Sequence, residues 1–221
     1  MTEVKIELEQ VLPMDIERRS FEIITAELGD RTFPPNEEPV VKRVIHTTAD
    51  FEYADSLVFS HHPVERAMGA IRQGAVIVTD TQMGRSGINK KVLAGFGGSV
   101  LCFMSDEDVA ARAREAGTTR AVASMDKAAE LPGPVIFAVG NAPTALVRLY
   151  ELICEGRIRP EMIIGVPVGF VNVVAAKELI LSTDVPAIVA RGRKGGSNVA
   201  AAITNAILYQ MDRERAGAVQ S

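Results

Sequence analysis

Five short runs of apolar, largely β-branched residues recur along the second two-thirds of the chain, at 75–79, 99–104, 134–139, 162–166 and 186–190. Each is apolar almost without interruption. A strand with one face in water alternates polar and apolar residues, whereas an uninterrupted run fits a parallel strand covered on both faces. Helical patterns over 106–116 with 121–131, 142–155, 172–181 and 196–213 follow the runs and supply crossovers. Right-handed crossovers leave few ways to wind such a chain, and the pattern predicts a three-layer α/β fold around a five-stranded parallel sheet.

The first seventy residues read differently. Positions 14–28 suit a helix carrying Ile16, Phe21, Ile23, Ile24 and Leu28. A second helix starts near Asn36, where Glu37 and Glu38 favour a helix amino terminus, and runs through Val40, Val41, Val44 and Ile45 to about Thr48. A third covers 61–73, so the sheet is expected to carry an N-terminal helical extension. Pro34-Pro35 reads as a turn rather than a linker, and no internal repeat appears. One domain over 1–221 is expected, with a polar tail that frays after about 211.

Composition narrows the function classes. With 47% hydrophobic residues and a formal charge of −4, the chain has too much apolar content and too little net charge for general disorder. The uncharged stretches 131–147 and 162–176 are interrupted by Pro132, Pro134, Pro143, Pro167 and Asn172, so neither is expected to span a membrane. Met1 to Lys5 has no basic region leading into an apolar stretch and is not read as a signal peptide. Mild acidity and 5% aromatic residues, with no Trp, argue against a nucleic-acid binder. Cys102 and Cys154 lie far apart in apolar runs, and both are read as reduced core residues of a cytoplasmic protein.

Open parallel sheets bind ligands beyond the carboxyl ends of their strands. Those ends read Thr79-Asp-Thr81, Gly140-Asn-Ala-Pro-Thr144, Gly165-Val-Pro-Val-Gly169 and Arg191-Gly-Arg-Lys-Gly-Gly-Ser-Asn198. The last sets three cations and three glycines before a long helix that begins near Ser197, whose free N–H groups favour anions. The plainer reading is a strand-to-helix turn with solvated cations. Neither a Walker loop nor GxGxxG occurs, and there is no GxSxG elbow. His61 and His62, just before Pro63, suit capping or solvation. His46 lies near a helix carboxyl end; a lone helical histidine is more often structural, and no metal-ligand spacing accompanies it. What remains is one histidine transferring a proton in a pocket of backbone, small polar groups and arginines.

Several longer segments in fixed order resemble the precorrin-8X methylmutases: Arg18-Arg-Ser-Phe21, Arg43-Val-Ile-His-Thr-Thr-Ala-Asp-Phe51, Thr79-Asp-Thr-Gln-Met83, Ser86-Gly-Ile-Asn-Lys90, Gly117-Thr-Thr-Arg120, Gly140-Asn-Ala-Pro-Thr-Ala-Leu146, Gly165-Val-Pro-Val-Gly-Phe-Val171 and Gly192-Arg-Lys-Gly-Gly-Ser-Asn-Val-Ala-Ala-Ala202. The resemblance covers about 14–210, and its His-Thr-Thr-Ala-Asp-Phe and Gly-Arg-Lys-Gly-Gly-Ser-Asn forms point to the branch acting on cobalt-precorrin-8. It implies a flavodoxin-like sheet and a homodimer with active sites near the subunit interface. The implied reaction is a methyl shift from C-11 to C-12 of the tetrapyrrole, giving cobyrinate, or hydrogenobyrinate from the metal-free ring.

The resemblance makes His46 the proton donor and acceptor and places substrate contacts at Ser20 and Arg120. Asn141, Thr144, Arg193, Lys194, Ser197 and Asn198, at the strand ends, are the further candidates for binding the substrate. No dissociable cofactor is implied, since any cobalt belongs to the substrate. The chemistry is consistent: a sigmatropic shift needs no nucleophile or redox carrier, and a histidine can give and retake a proton near neutral pH. A carboxylate-rich ring also needs concentrated cations, and Arg120, Arg191, Arg193 and Lys194 are the available cluster. One departure stands at Asn172-Val-Val-Ala-Ala-Lys177, where the family reads Gly-Ala-Ala-Glu-Ser-Lys, so no ligand contact is assigned to 172–176. Gly84, where alanine is common, is a smaller one. A tetrapyrrole carrier without catalysis would keep the basic loop and not need His46; a generic nucleotide or sugar-phosphate binder lacks its phosphate fingerprints.

Overall fold

Because neighbouring side chains of a strand point to opposite faces, a strand apolar at every position has to be covered on both. The computed structural model, which describes residues 9–219, meets that demand with one mixed sheet between two helical layers. The strands are β1 (Leu57–Ser60), β2 (Val76–Thr79), β3 (Ser99–Leu101), β4 (Val135–Val139), β5 (Met162–Gly165) and β6 (Ala187–Ala190). They lie in the order β1-β6-β5-β4-β2-β3. Strands β2 to β6 are the five expected runs, and every pairing among them is parallel.

The sheet nevertheless has six strands, not five. Strand β1 joins the β6 edge antiparallel, with Leu57 opposite Ala190 and Ser60 opposite Ala187. It escapes a sequence reading because its four residues are all half-buried, with neither alternation nor a long apolar run to mark them.

A 3₁₀ turn at Pro13–Asp15 leads into α1 (Ile16–Leu28), followed by α2 (Glu38–Thr48), α3 (Tyr53–Ser56) and α4 (Pro63–Arg72). Between β2 and β3 lie α5 (Gln82–Gly87) and α6 (Lys90–Ala94); then come α7 (Glu107–Glu115), α8 (Arg120–Ala128), α9 (Pro143–Cys154), α10 (Val173–Leu181) and α11 (Ser197–Val219). The short helices α5 and α6 carry no readable periodicity and are started by side chains: Thr81 Oγ1 accepts from Gly84 N at 2.9 Å, and Asn89 Oδ1 from Val92 N at 3.1 Å. Helix α11 runs through the polar tail to Val219, past its expected end near 213.

The two layers divide the strands residue by residue. Ile77, Ile136, Ala138, Ile164 and Ile188 pack with apolar residues of α1, α2, α4 and α11. Val78, Phe137, Val139, Ile163 and Val189 point the other way, onto α8, α9 and α10. Cys102 is buried, but Cys154 is exposed, which corrects the expectation that both are core residues. The buried face of α9 is Ala145, Leu146, Leu149 and Leu152, and residue 154 lies off it.

Candidate active site

The sheet order turns back on itself between β2 and β4: β3 lies on one side of β2, and the later strands lie on the other. A crevice at such a reversal is where open sheets hold ligands. At this point Asp80 ends β2, 1% exposed, with its carboxylate turned toward the β4–α9 loop. Oδ1 accepts from Gly140 N at 2.9 Å, and Oδ2 accepts from Asn141 N at 2.8 Å and Ala142 N at 2.7 Å. Burial raises the Asp80 pKa, while these N–H donors favour the ionised form. The Asp80 carboxylate therefore anchors the loop that carries Asn141 and leads into Thr144, the second residue of α9.

The remaining strand ends are tied to the same rim. Thr81 Oγ1 and Ser197 Oγ lie 2.7 Å apart, joining β2 to the start of α11. A Cβ on Gly140 would stand 2.6 Å from Ser197 Cα, so glycine is needed for the backbones to meet. Gly196 N donates to Val166 O at 2.9 Å, and Gly169 N donates to Arg193 O at 3.1 Å. Gly195 has φ +157°, and a Cβ there would fall 2.1 Å from Val166 O. Close backbone approach is thus the physical reason for glycine at 140 and 195.

Two of the four candidate cations are already engaged. Arg191 Nε meets Glu178 Oε1 at 3.0 Å. Lys194 Nζ binds Asp50 and, at 2.8 Å, Glu52, and these partners raise its pKa to about 12. Arg193 instead lies over the Phe170 ring, 5.4 Å from its centroid. Neither Arg193 nor Arg120 has a carboxylate partner among the described residues, and both are exposed. Thr119 Oγ1 lies 3.3 Å from Thr144 Oγ1, which sets Arg120, the first residue of α8, beside the start of α9. Asn141 and Asn198 are also exposed. Arg191→Ala, which removes only a surface pair, is expected to leave the unfolding midpoint near wild type and KM within about twofold, measured by thermal unfolding and initial rates.

His46 comes from the helical layer. Helix α2 buries Val40, Val41, Val44 and Ile45, which leaves Lys42, Arg43 and His46 on its other side. The imidazole stacks on Phe21 of α1, with centroids 5.2 Å apart and planes 15° apart. The Arg43 guanidinium lies 4.7 Å from the same Phe21 ring. His46 and Ser20 line one cavity of about 240 Å³, walled by Ile23, Ile24, Glu27, Ile45, Ala49 and Phe51. None of Arg120, Asn141, Thr144, Arg193, Lys194, Ser197 and Asn198 lines it. The cavity adjoins the strand-end rim through 50–52, where Phe51 is in its wall and Asp50 and Glu52 hold Lys194. His61 and His62 are exposed in left-handed backbone, φ 57° and 54°, and His62 makes no side-chain cap.

Sequence reasoning passed over Asp80 and Lys177 as structural anchors. The available signal was position: Asp80 directly follows strand β2, apolar up to its last residue Thr79, and Lys177 ends the apolar run 173–176. Lys177 is 0% exposed.

Comparison with known proteins bears on this site. The precorrin-8X methylmutase family model matches residues 15–210. The chain is similar to a cobalt-precorrin-8 methylmutase of Priestia megaterium, 46% identical over 202 residues, 91% of this chain and 90% of that protein. It is also similar to that of Salmonella typhimurium, 46% identical over 205 residues, 90% of this chain and 96% of the relative. A precorrin-8X methylmutase of Pseudomonas aeruginosa is 37% identical over 200 residues, 89% of this chain and 95% of that one. Among solved structures, a precorrin-8x methyl mutase from Thermus thermophilus matches with a TM-score of 0.83 and 42% identity, covering 90% of this chain and 98% of that one.

Proposed function

Because the chain belongs to the precorrin-8X methylmutase family, we propose that it is the isomerase that moves a methyl group from C-11 to C-12 of cobalt-precorrin-8, giving cobyrinate, with His46 as its acid and base. The observation that carries this reading is the shared cavity of His46 and Ser20, whose wall is largely apolar. At about 240 Å³ it is smaller than a pocket for a whole drug-sized ligand, so it takes one edge of the macrocycle, the reacting one.

His46 gives a proton to the ring, the bond from C-11 to the methyl breaks as the bond to C-12 forms, and the proton returns. No atom enters or leaves. The step asks for no dissociable cofactor, the cobalt being part of the substrate. Ser20 contacts the ring edge beside His46. Arg120 and Arg193, free of carboxylates among the described residues, take substrate carboxylates, with Asn141, Thr144, Ser197 and Asn198 at the strand ends completing the rim. Lys194 joins them while sharing its charge with Asp50 and Glu52.

The parallel strands run second, first, third, fourth, fifth in chain order, which supports a flavodoxin-like class for the single domain 1–221. Phe170 and Val171, 80% and 79% exposed beside Arg193, support a homodimer in which a second subunit covers the ring. A cytoplasmic location accords with the absence, among the described residues, of a helix long and apolar enough to cross a membrane.

The substrate branch is tested by parallel incubations with cobalt-precorrin-8 and metal-free precorrin-8X, following absorption and product mass. The relatives matched at 40–46% identity are named for the cobalt substrate. A higher kcat/KM on cobalt-precorrin-8 is expected; preference for the metal-free ring would move the enzyme to the other branch.

A further inference from the structure

Lys177 is a cation in the wrong place for an ordinary lysine. Its side chain is 0% exposed, and no carboxylate pairs with it among the described residues. Its ammonium instead donates to two backbone carbonyls of the basic loop, Gly192 O and Lys194 O, each at 2.9 Å. Those carbonyls bracket Arg193, whose own carbonyl accepts from Gly169 N. A buried charge is costly, and an apolar residue would fill this place without that cost. We propose that Lys177 is the positioning residue of the basic loop: by clamping the backbone on both sides of Arg193, it holds that guanidinium where a substrate carboxylate arrives. The inference rests on the reading of Arg193 as a substrate contact.

Its surroundings leave the ammonium electrostatically alone. On its own helix, Glu178 pairs with Arg191 of the loop, and Lys194 is held by Asp50 and Glu52. Strands β5 and β6 and the loop 166–172 carry no titratable side chain. On α9, which packs against α10, Arg148 pairs with Glu151 and Glu155. Burial lowers the Lys177 pKa from its ordinary 10.5 to about 8. Between those values the Lys177 site binds more protons in the unfolded chain than in the folded one, so its contribution to stability rises with pH. The clamp moves the other way, because a neutral amine donates weaker hydrogen bonds than an ammonium. A residue that only held the fold together would not separate these two signs.

The test is steady-state kinetics on cobalt-precorrin-8 with Lys177→Met, Arg193→Ala and the double variant. Lys177→Met should raise KM by about tenfold or more, hold kcat within about twofold, and leave the unfolding midpoint unchanged or higher. The double variant should be no worse than Arg193→Ala, because the clamp acts through Arg193. Unchanged KM in Lys177→Met, with KM raised in Arg193→Ala, would overturn the clamp and keep the contact. Raised KM in Lys177→Met with unchanged KM in Arg193→Ala would support loop clamping but overturn action through Arg193. If Lys177→Met does not fold, wild-type enzyme decides: KM should rise about threefold or more from pH 7 to 9.5 while the unfolding midpoint does not fall. A flat KM over that interval would overturn the proposal.

Discussion

His46→Ala is expected to lose about 10²–10⁴-fold in kcat, the usual size of a general acid–base contribution, with product affinity within about threefold of wild type. The separation follows from the architecture. The imidazole lies on the polar side of α2, stacked on Phe21, while the core side of that helix is Val40, Val41, Val44 and Ile45. Removing the ring therefore gives up the stack on Phe21 but spares the core packing of α2, and the exposed cations Arg120 and Arg193 do not line its cavity. Substrate and product present the same carboxylate rim, so contacts with that rim bind both without speeding the shift. Single-turnover kinetics and an equilibrium titration with cobyrinate measure the two quantities. A kcat loss under about tenfold would remove His46 from the mechanism. His61→Ala and His62→Ala, at exposed positions, should stay close to wild type.

Asp80→Ala should produce the largest loss of stability. One carboxylate accepts three backbone N–H groups at the switch point, and alanine leaves all three without an acceptor. Each unsatisfied buried group costs about 1–3 kcal/mol, so a total near 3 kcal/mol remains even if water reaches part of the loop. For a chain of this size that lowers the unfolding midpoint by roughly 6–12 °C. Asp80→Asn keeps the volume but offers a single acceptor oxygen and turns donors toward donors, so it should recover little. Scanning calorimetry of both variants checks this. An asparagine variant as stable as wild type would show that the loop does not depend on the carboxylate.

The parallel strands were legible because burial on both faces leaves a local mark, an unbroken apolar run. Strand β1 leaves none, since it is an antiparallel edge of four half-buried residues. The six-residue α5 and five-residue α6 are too short to show a helical period, and their starts depend on the Thr81 and Asn89 side chains. At the site, local sequence marked the glycine-rich strand ends and the lone His46, while Ser20 and Arg120 came through family resemblance. Charge partnership was the part that could not be read. Lys194 looked like one of three free cations in a loop until Asp50 and Glu52 arrived from beyond α2. For Asp80 and Lys177 position in the sequence marks the residue but not its role as an anchor, because their partners are backbone atoms of loops that only the fold brings near.

The most direct measurement of the central claim uses cobalt-precorrin-8 carrying ¹³C in its C-11 methyl group, incubated with the purified enzyme and followed by carbon NMR and mass spectrometry. The expected result is disappearance of the C-11 methyl resonance and appearance of a C-12 methyl resonance of equal intensity, with the mass unchanged and the rate abolished or nearly so in His46→Ala. A protein that binds the labelled ring and leaves its methyl on C-11 would be a carrier, and that result would contradict the account.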